Sequence, residues 1–233
     1  MAIRNPQSAI RNDLAGWLCH CWYELVSWLS LAALTLGWSL RIRGRRHFPR
    51  TGPVLVIANH QSFLDPLVIG VACSQHLSFL ARKTLFANRL FGWLIGSLGG
   101  VPIDQQGVGK EGLQTVLRQL DEGRAVVVFP EGHRTRDGVL HALMPGIVLL
   151  LKRARAPLVP VAIAGAHAAW PHGQKLPKLA PLFLPAHQGT VAVAVGPPFD
   201  PSRWADDPRE KVLEELFTEL MKVQEQAERL RRK

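Results

Sequence analysis

At 233 residues and a formal net charge of +10, the chain has room for one α/β-sized domain with an appendage and not for two full domains. A balance this basic implies anionic partners, meaning nucleic acid, anionic lipid or phosphorylated substrates. Nucleic acid is excluded by pattern: there is no helix-turn-helix, zinc-finger or RNP signature, and the basic residues are not interleaved with stacking aromatics.

Residues 1–13 are polar and carry no cleavage-site pattern, so a cleaved signal peptide is not expected. From Leu14 to Leu40 the only charged residue is Glu24, and four of the seven tryptophans fall here: Trp17, Trp22, Trp28 and Trp38. The uncharged run from Leu25 to Leu40 is 16 residues, short of the ~20 that a comfortable span requires. Arg41, Arg43, Arg45, Arg46 and Arg50 follow at once. Tryptophan flanked by arginine suits a bilayer interface. The expectation is one or two helices lying in one leaflet with the arginines on lipid phosphates, rather than a core helix or a true span. This gives an N-terminal membrane-associating segment over 1–40 and an α/β domain over 41–233, placed monotopically on a cytoplasmic membrane face.

Cys19-His20-Cys21 has metal-binding side-chain types, but on a helix positions i and i+2 point apart. With Cys73 the cysteines number three and frame no disulfide network, which points to a reducing compartment. No metal is expected.

Phe48-Pro49-Arg50-Thr51-Gly52-Pro53 reads as a turn into Val54–Ala58, a short apolar run that predicts a buried strand. Asn59-His60-Gln61-Ser62-Phe63-Leu64-Asp65 follows, and residues 67–73 read as a short buried helix. The spacing from Ser62 to Asp65 fits a helix-start capping pattern. Asp65 then lies in the first helical turn, within reach of His60. A carboxylate on one imidazole nitrogen fixes the tautomer and leaves the other nitrogen as a base. The same residues also suit simple helix capping.

Further on, Leu77–Ala81 predicts a strand ending at Arg82-Lys83, residues 84–97 an apolar helix, and 101–104 an extended piece. Helical spacing over 110–122 precedes a strand over 125–129. That strand runs into Pro130-Glu131-Gly132-His133-Arg134-Thr135-Arg136. Glycine permits close backbone approach, and arginines at a strand mouth suit a phosphate. Pro145 opens a helix over 146–155, residues 158–164 form a strand, 166–189 a long loop and 190–195 a last strand. Asp206 or Asp207 is expected to cap a helix from Pro208 to about Leu230. Alternating strands and helices imply a layered α/β/α fold with a mixed, mostly parallel sheet and ligands at the strand ends.

Taken together, these segments resemble the glycerolipid acyltransferase family, whose members include 1-acylglycerol-3-phosphate acyltransferases. The His-x-x-x-x-Asp motif is Asn59, His60 and Asp65. The third motif is Phe129 to Thr135, with His133 and Thr135 substituted. A second block resembles residues 82–104 and a fourth resembles 159–163, so the likeness covers about 41–199 in family order. It implies His60 as base and Asp65 as its orienting partner, with direct attack of an acceptor hydroxyl on an acyl thioester. Lys83 and the Gly132 N–H are then candidates for the oxyanion. Arg134 and Arg136 are candidates for the acceptor phosphate, Glu131 for holding the turn, and Asn59 and Arg82 for the substrate site.

The implied partners are a lysophospholipid acceptor, acyl-CoA or acyl-carrier protein as donor substrate, and an anionic membrane surface, with no cofactor. The sequence departs from the family at Gln105, near Arg89 and at His133. The first reading is acylation of 1-acyl-sn-glycerol 3-phosphate to phosphatidic acid. Another lysolipid acceptor or a transacylation, and a phospholipid-binding protein without catalysis, stay open.

Overall fold

The computed structural model describes residues 14–104, 109–174, 176–182, 185–186 and 189–233. Seven strands form one sheet: β1 (Arg41–Arg43), β2 (Val54–Ala58), β3 (Leu77–Arg82), β4 (Gly100–Ile103), β5 (Ala125–Val128), β6 (Leu158–Ala164) and β7 (Ala192–Val195), in the order β1-β7-β6-β2-β5-β3-β4. The pairs β6–β2, β2–β5, β5–β3 and β3–β4 are parallel; β7 runs antiparallel to β6, and β1 joins β7 in parallel. The sheet is thus mixed and mostly parallel, as the sequence pattern implied.

All of β2, β5 and β6 is buried, as expected of strands covered on both faces. Period-two alternation sorts their side chains into two cores. Val54, Val56 and Ala58 face one layer with Leu34, Leu64, Val68 and Ile69. Leu55 and Ile57 face the other with Leu113, Val116, Ile147, Leu150, Val212 and Leu216. The first layer holds α1 (Leu14–Trp38) and α2 (Asp65–Ala72); the second holds α4 (Lys110–Asp121), α5 (Gly146–Arg153) and α7 (Arg209–Arg231). The short helices α3 (Arg89–Ser97) and α6 (Ala166–Ala169) lie between strands along the chain.

Several boundaries depart from the sequence expectation, each for a local reason. Residues 84–97 are not one helix: a 3-10 turn at Lys83–Phe86 gives way to α3, whose start Asn88 caps through its side chain to the Phe91 N–H. The expected loop over 166–189 contains α6, entered through Gly165 at φ 83, where any Cβ would strike the Thr190 carbonyl oxygen. Neither Asp206 nor Asp207 caps α7. Pro208 stands at that position, and the Asp207 carboxylate instead accepts from Lys211 at 2.7 Å.

The described part of the N-terminal segment is α1, packed on α2, with Tyr23 Oη accepting from the Leu77 N–H and Trp22 Nε1 donating to Ser97 Oγ at 3.0 Å. Its other side leaves Trp17, Leu18, Leu25, Trp28, Leu29 and Leu36 exposed. Among the described residues no helix is long and apolar enough to cross a membrane. Arg41 is not free to face lipid: its guanidinium donates to the Leu230 and Arg231 carbonyls in the last turn of α7, at 3.0 and 3.1 Å. A cation there suits the negative end of the helix dipole.

Candidate active site

Parallel strands bring their carboxyl ends to one edge of the sheet, and the motif residues gather there. Asn59 closes the end of β2 onto β6, its Nδ2 donating to Ile163 O at 2.9 Å and its Oδ1 accepting from Ile163 N at 2.8 Å. This fixes the strand end from which His60 projects. The Asn59 side chain is fully engaged there.

His60 Nδ1 lies 2.7 Å from Asp65 Oδ2. The same oxygen accepts from the Gln61 and Ser62 N–H groups, and Asp65 is wholly buried. A carboxylate can only accept, so Nδ1 carries the proton and Nε2 presents its lone pair. The imidazole stacks on Phe129 at the end of β5, with centroids 4.0 Å apart, and its side chain is 20% exposed. Ser62 does not cap the helix. Its Oγ accepts from the Leu64 N–H, and α2 begins at Asp65 itself. The reach of Asp65 back over three residues fixes the turn that carries His60.

The third-motif loop is stitched to this turn. Glu131 accepts from the His60 N–H at 2.8 Å and from the His141 N–H at 3.2 Å. Burial raises the Glu131 pKa above its ordinary value, and those two N–H groups oppose the rise. Thr135 N donates to His60 O at 2.8 Å. The Thr135 hydroxyl, buried at the substituted position, donates to Asp137 and accepts from Gly138 N. Gln61 adds a further clamp, donating to Gly138 O and accepting from His167 N. No role was assigned in the sequence to Gln61, Phe129, Thr135 or His141, because backbone bonding and ring stacking between distant segments leave no spacing signal.

Arg134 lies over the Phe63 ring at 3.6 Å, and its Nη1 is buried with no hydrogen-bond partner. Burial lowers its pKa, the Asp65 charge raises it and Arg82 lowers it, which puts Arg134 in the field of Asp65. Arg136 is exposed, and only its carbonyl is engaged, accepting from His167 Nε2.

The two oxyanion candidates are otherwise occupied. Lys83 is exposed and donates to Asp104 at 2.6 Å, a hydrogen bond that raises its pKa. The Gly132 N–H closes its own turn onto Phe129 O at 3.1 Å, with φ 73 that only glycine adopts readily. Gln105 lies outside the described residues.

An α/β layered fold with a buried-carboxylate histidine at its strand ends and a desolvated arginine beside it is suited to activating a hydroxyl near an anion. The sequence model of the Acyltransferase family matches residues 39–164, more than half of the chain. The chain belongs to that family. It is 27% identical over 164 residues to the 1-acyl-sn-glycerol-3-phosphate acyltransferase of Bacillus subtilis, covering 68% of this chain and 79% of that protein. To the enzyme of the same name from Streptococcus pneumoniae it is 30% identical, over 55% of this chain and 50% of that one. The chain thus spans half of the pneumococcal relative. Among solved structures, the 1-acyl-sn-glycerophosphate acyltransferase of Thermotoga maritima superposes with a TM-score of 0.70 at 23% identity, covering 86% of this chain and 78% of that one, a likeness of fold.

Proposed function

We propose that the chain transfers a fatty acyl group from an acyl thioester, acyl-CoA or acyl-carrier protein, to the free hydroxyl of 1-acyl-sn-glycerol 3-phosphate, giving phosphatidic acid. The observation that carries this reading is the His60–Asp65 pair, with Arg134, over the Phe63 ring, in the field of Asp65. The relatives' shared name supplies the substrate class.

In this reading His60 Nε2 takes the proton of the acceptor hydroxyl as its oxygen attacks the thioester carbonyl. The Asp65 carboxylate holds the imidazolium that forms. The tetrahedral intermediate collapses, the C–S bond breaks, and the thiolate takes the proton from Nε2. Water is not consumed, and the step uses no cofactor. Arg134, held flat on Phe63 with a free Nη1, and Arg82 beside it are the cations best placed for the acceptor phosphate. This pairing replaces Arg134 with Arg136, the pair suggested by spacing. The planar guanidinium fork binds a phosphate bidentately through charge-assisted bonds.

The acceptor carries an acyl chain and must come from a bilayer. The exposed apolar side of α1 and the neighbouring exposed Leu90, Phe91 and Trp93 of α3 support monotopic membrane association, the two helices being joined by the Trp22–Trp93 ring contact at 5.5 Å.

The test is an assay of the purified chain with acyl-CoA and a panel of lysolipids. Lysophosphatidic acid should be the preferred acceptor. His60→Ala should reduce turnover by about 10²–10⁴-fold with the circular dichroism spectrum unchanged. Near-normal turnover in a folded His60→Ala protein would overturn the mechanism, and preference for an acceptor without a phosphomonoester would overturn the substrate.

A further inference from the structure

On the far side of α2 from the catalytic pair, α1 meets the loop between α2 and β3 through a second cluster of chemistry-bearing side chains. His20 and Glu24 stand one helical turn apart on α1, and His76 faces them from the loop. One ligand atom from each lies within 4.8 Å of the other two. His76 Nε2 is 3.7 Å from Glu24 Oε1, within ion-pair reach but too long for a good hydrogen bond, and that atom is shielded from solvent although the side chain is 36% exposed. The His76 ring stacks against both His20 and Tyr23, at 5.1 and 3.7 Å between centroids, and Tyr23 is itself anchored to Leu77 N. A cavity of about 100 Å³ opens beside the three, lined in part by Tyr23, Arg45 and Gln75.

The geometry points to a zinc site formed by His20, Glu24 and His76, with the fourth position open to water from the adjoining cavity. Two imidazoles and a carboxylate are a set that Zn²⁺ accepts, and imidazole selects against Ca²⁺ and Mg²⁺. In a tetrahedral site with bonds of about 2.0–2.2 Å, donor atoms sit on the order of 3.3–3.5 Å apart. The three donor atoms lie within 4.8 Å of one another, so ligation draws them closer together. A buried imidazole nitrogen without a partner is costly, and metal ligation removes that cost. Cys19 and Cys21 flank His20 in sequence, but neither belongs to the cluster whose ligand atoms converge. This is a different ligand set from the Cys-His-Cys run that the sequence displays, and only folding brings His76 to it. A metal here would join α1 to the α/β layers, acting as a clasp on the helix that carries the apolar surface.

The experiment uses the full chain in detergent, stripped with chelator. Co²⁺ is titrated and followed by its ligand-field absorption, Zn²⁺ competes, and melting temperature is read with and without Zn²⁺. One equivalent should bind with micromolar or tighter affinity and raise the melting temperature. His20→Ala, Glu24→Gln and His76→Ala should each weaken binding by at least about tenfold, since even outer-shell changes at metal sites cost that much. The Cys19→Ser/Cys21→Ser double variant should bind as the parent does. Should His76→Ala fail to fold, His76→Gln takes its place. Absence of stoichiometric uptake, uptake that survives loss of His76, or uptake lost with the cysteines would each overturn the assignment. None of these readouts depends on acyl transfer.

Discussion

At the residue scale, Asp65 carries more than the histidine. Its Oδ2 accepts from His60 Nδ1 and two backbone N–H groups, while Oδ1 is buried without a partner. Asp65→Asn can keep those three bonds through its carbonyl oxygen and place its amide where Oδ1 now sits. The fold should survive, and turnover should fall by less than in His60→Ala, because the imidazole keeps its tautomer but loses the charge that stabilises its protonated form. Arg134→Ala should raise the Michaelis constant for a phosphate-bearing acceptor by about 10–100-fold, the worth of a charged hydrogen bond, with the donor's constant little changed. Arg136→Ala should do much less than Arg82→Ala. An effect of Arg134→Ala confined to the donor would move the arginine to the donor's phosphates.

Glu131 offers a test by pH. Its folded pKa is raised by burial, so its contribution to stability is present below the ordinary value of 4.5 and is lost as pH rises through the raised value. Across that window each pH unit costs at most about 1.4 kcal/mol. Urea unfolding of parent and Glu131→Gln, compared pH by pH, should show this slope in the parent only; equal slopes would refute the buried charge. Asp137, whose pKa the Thr135 hydroxyl lowers first, followed by Val139 N and His141, acts below 3.8 with the opposite sign and does not overlap. The positions of His60, Asp65 and Arg134 were legible because motif spacing encodes a turn. The engagement of Lys83 with Asp104 and of the Gly132 N–H with Phe129 O was not legible, because nothing local in sequence says which partner a side chain or N–H will find.

At the scale of elements, the apolar run over 14–40 read correctly as helix, but its two-sidedness did not. Period alone cannot tell a face that packs on protein from one that stays exposed when both are apolar. The structure separates them: Leu34 is 2% exposed against α2, and Trp28 is 67% exposed on the opposite side. It also adds α3, where Leu90 is 76% exposed, to the same apolar zone. Replacing Trp28 and Leu90 by Glu should weaken liposome flotation without changing turnover on a detergent-dispersed acceptor. High salt alone should not release the parent chain, since apolar burial is not screened. Release by salt would mean that the arginines, not the helices, hold the surface. The run over 84–97 was misread as one helix because Phe86, Leu90, Phe91 and Leu94 keep helical spacing across the break at Ala87-Asn88. The capping value of Asn88 was the available signal.

At the scale of the molecule, a mixed sheet with a parallel centre was legible from the sequence, whereas which strand reverses was not. Strand direction depends on how the long 166–189 connection returns, and its composition is neutral on that point. That edge has a consequence for the order in which the protein can be made. Arg41 pairs with Ala192, and its guanidinium waits for Leu230 and Arg231. On the ribosome, α1 and β1 are synthesised before every partner that will hold β1. Long-range pairing of this kind is slow, and its unpaired strand is exposed in the interval. The apolar side of α1 is therefore presented to its surroundings while the catalytic layers are still being translated. On the proposed membrane reading, a growing chain is tethered to a bilayer before it has an active site. Nascent chains stalled before Ala192 should already sediment with vesicles yet be cut readily within Arg41–Arg50, with protection arriving only once α7 has emerged.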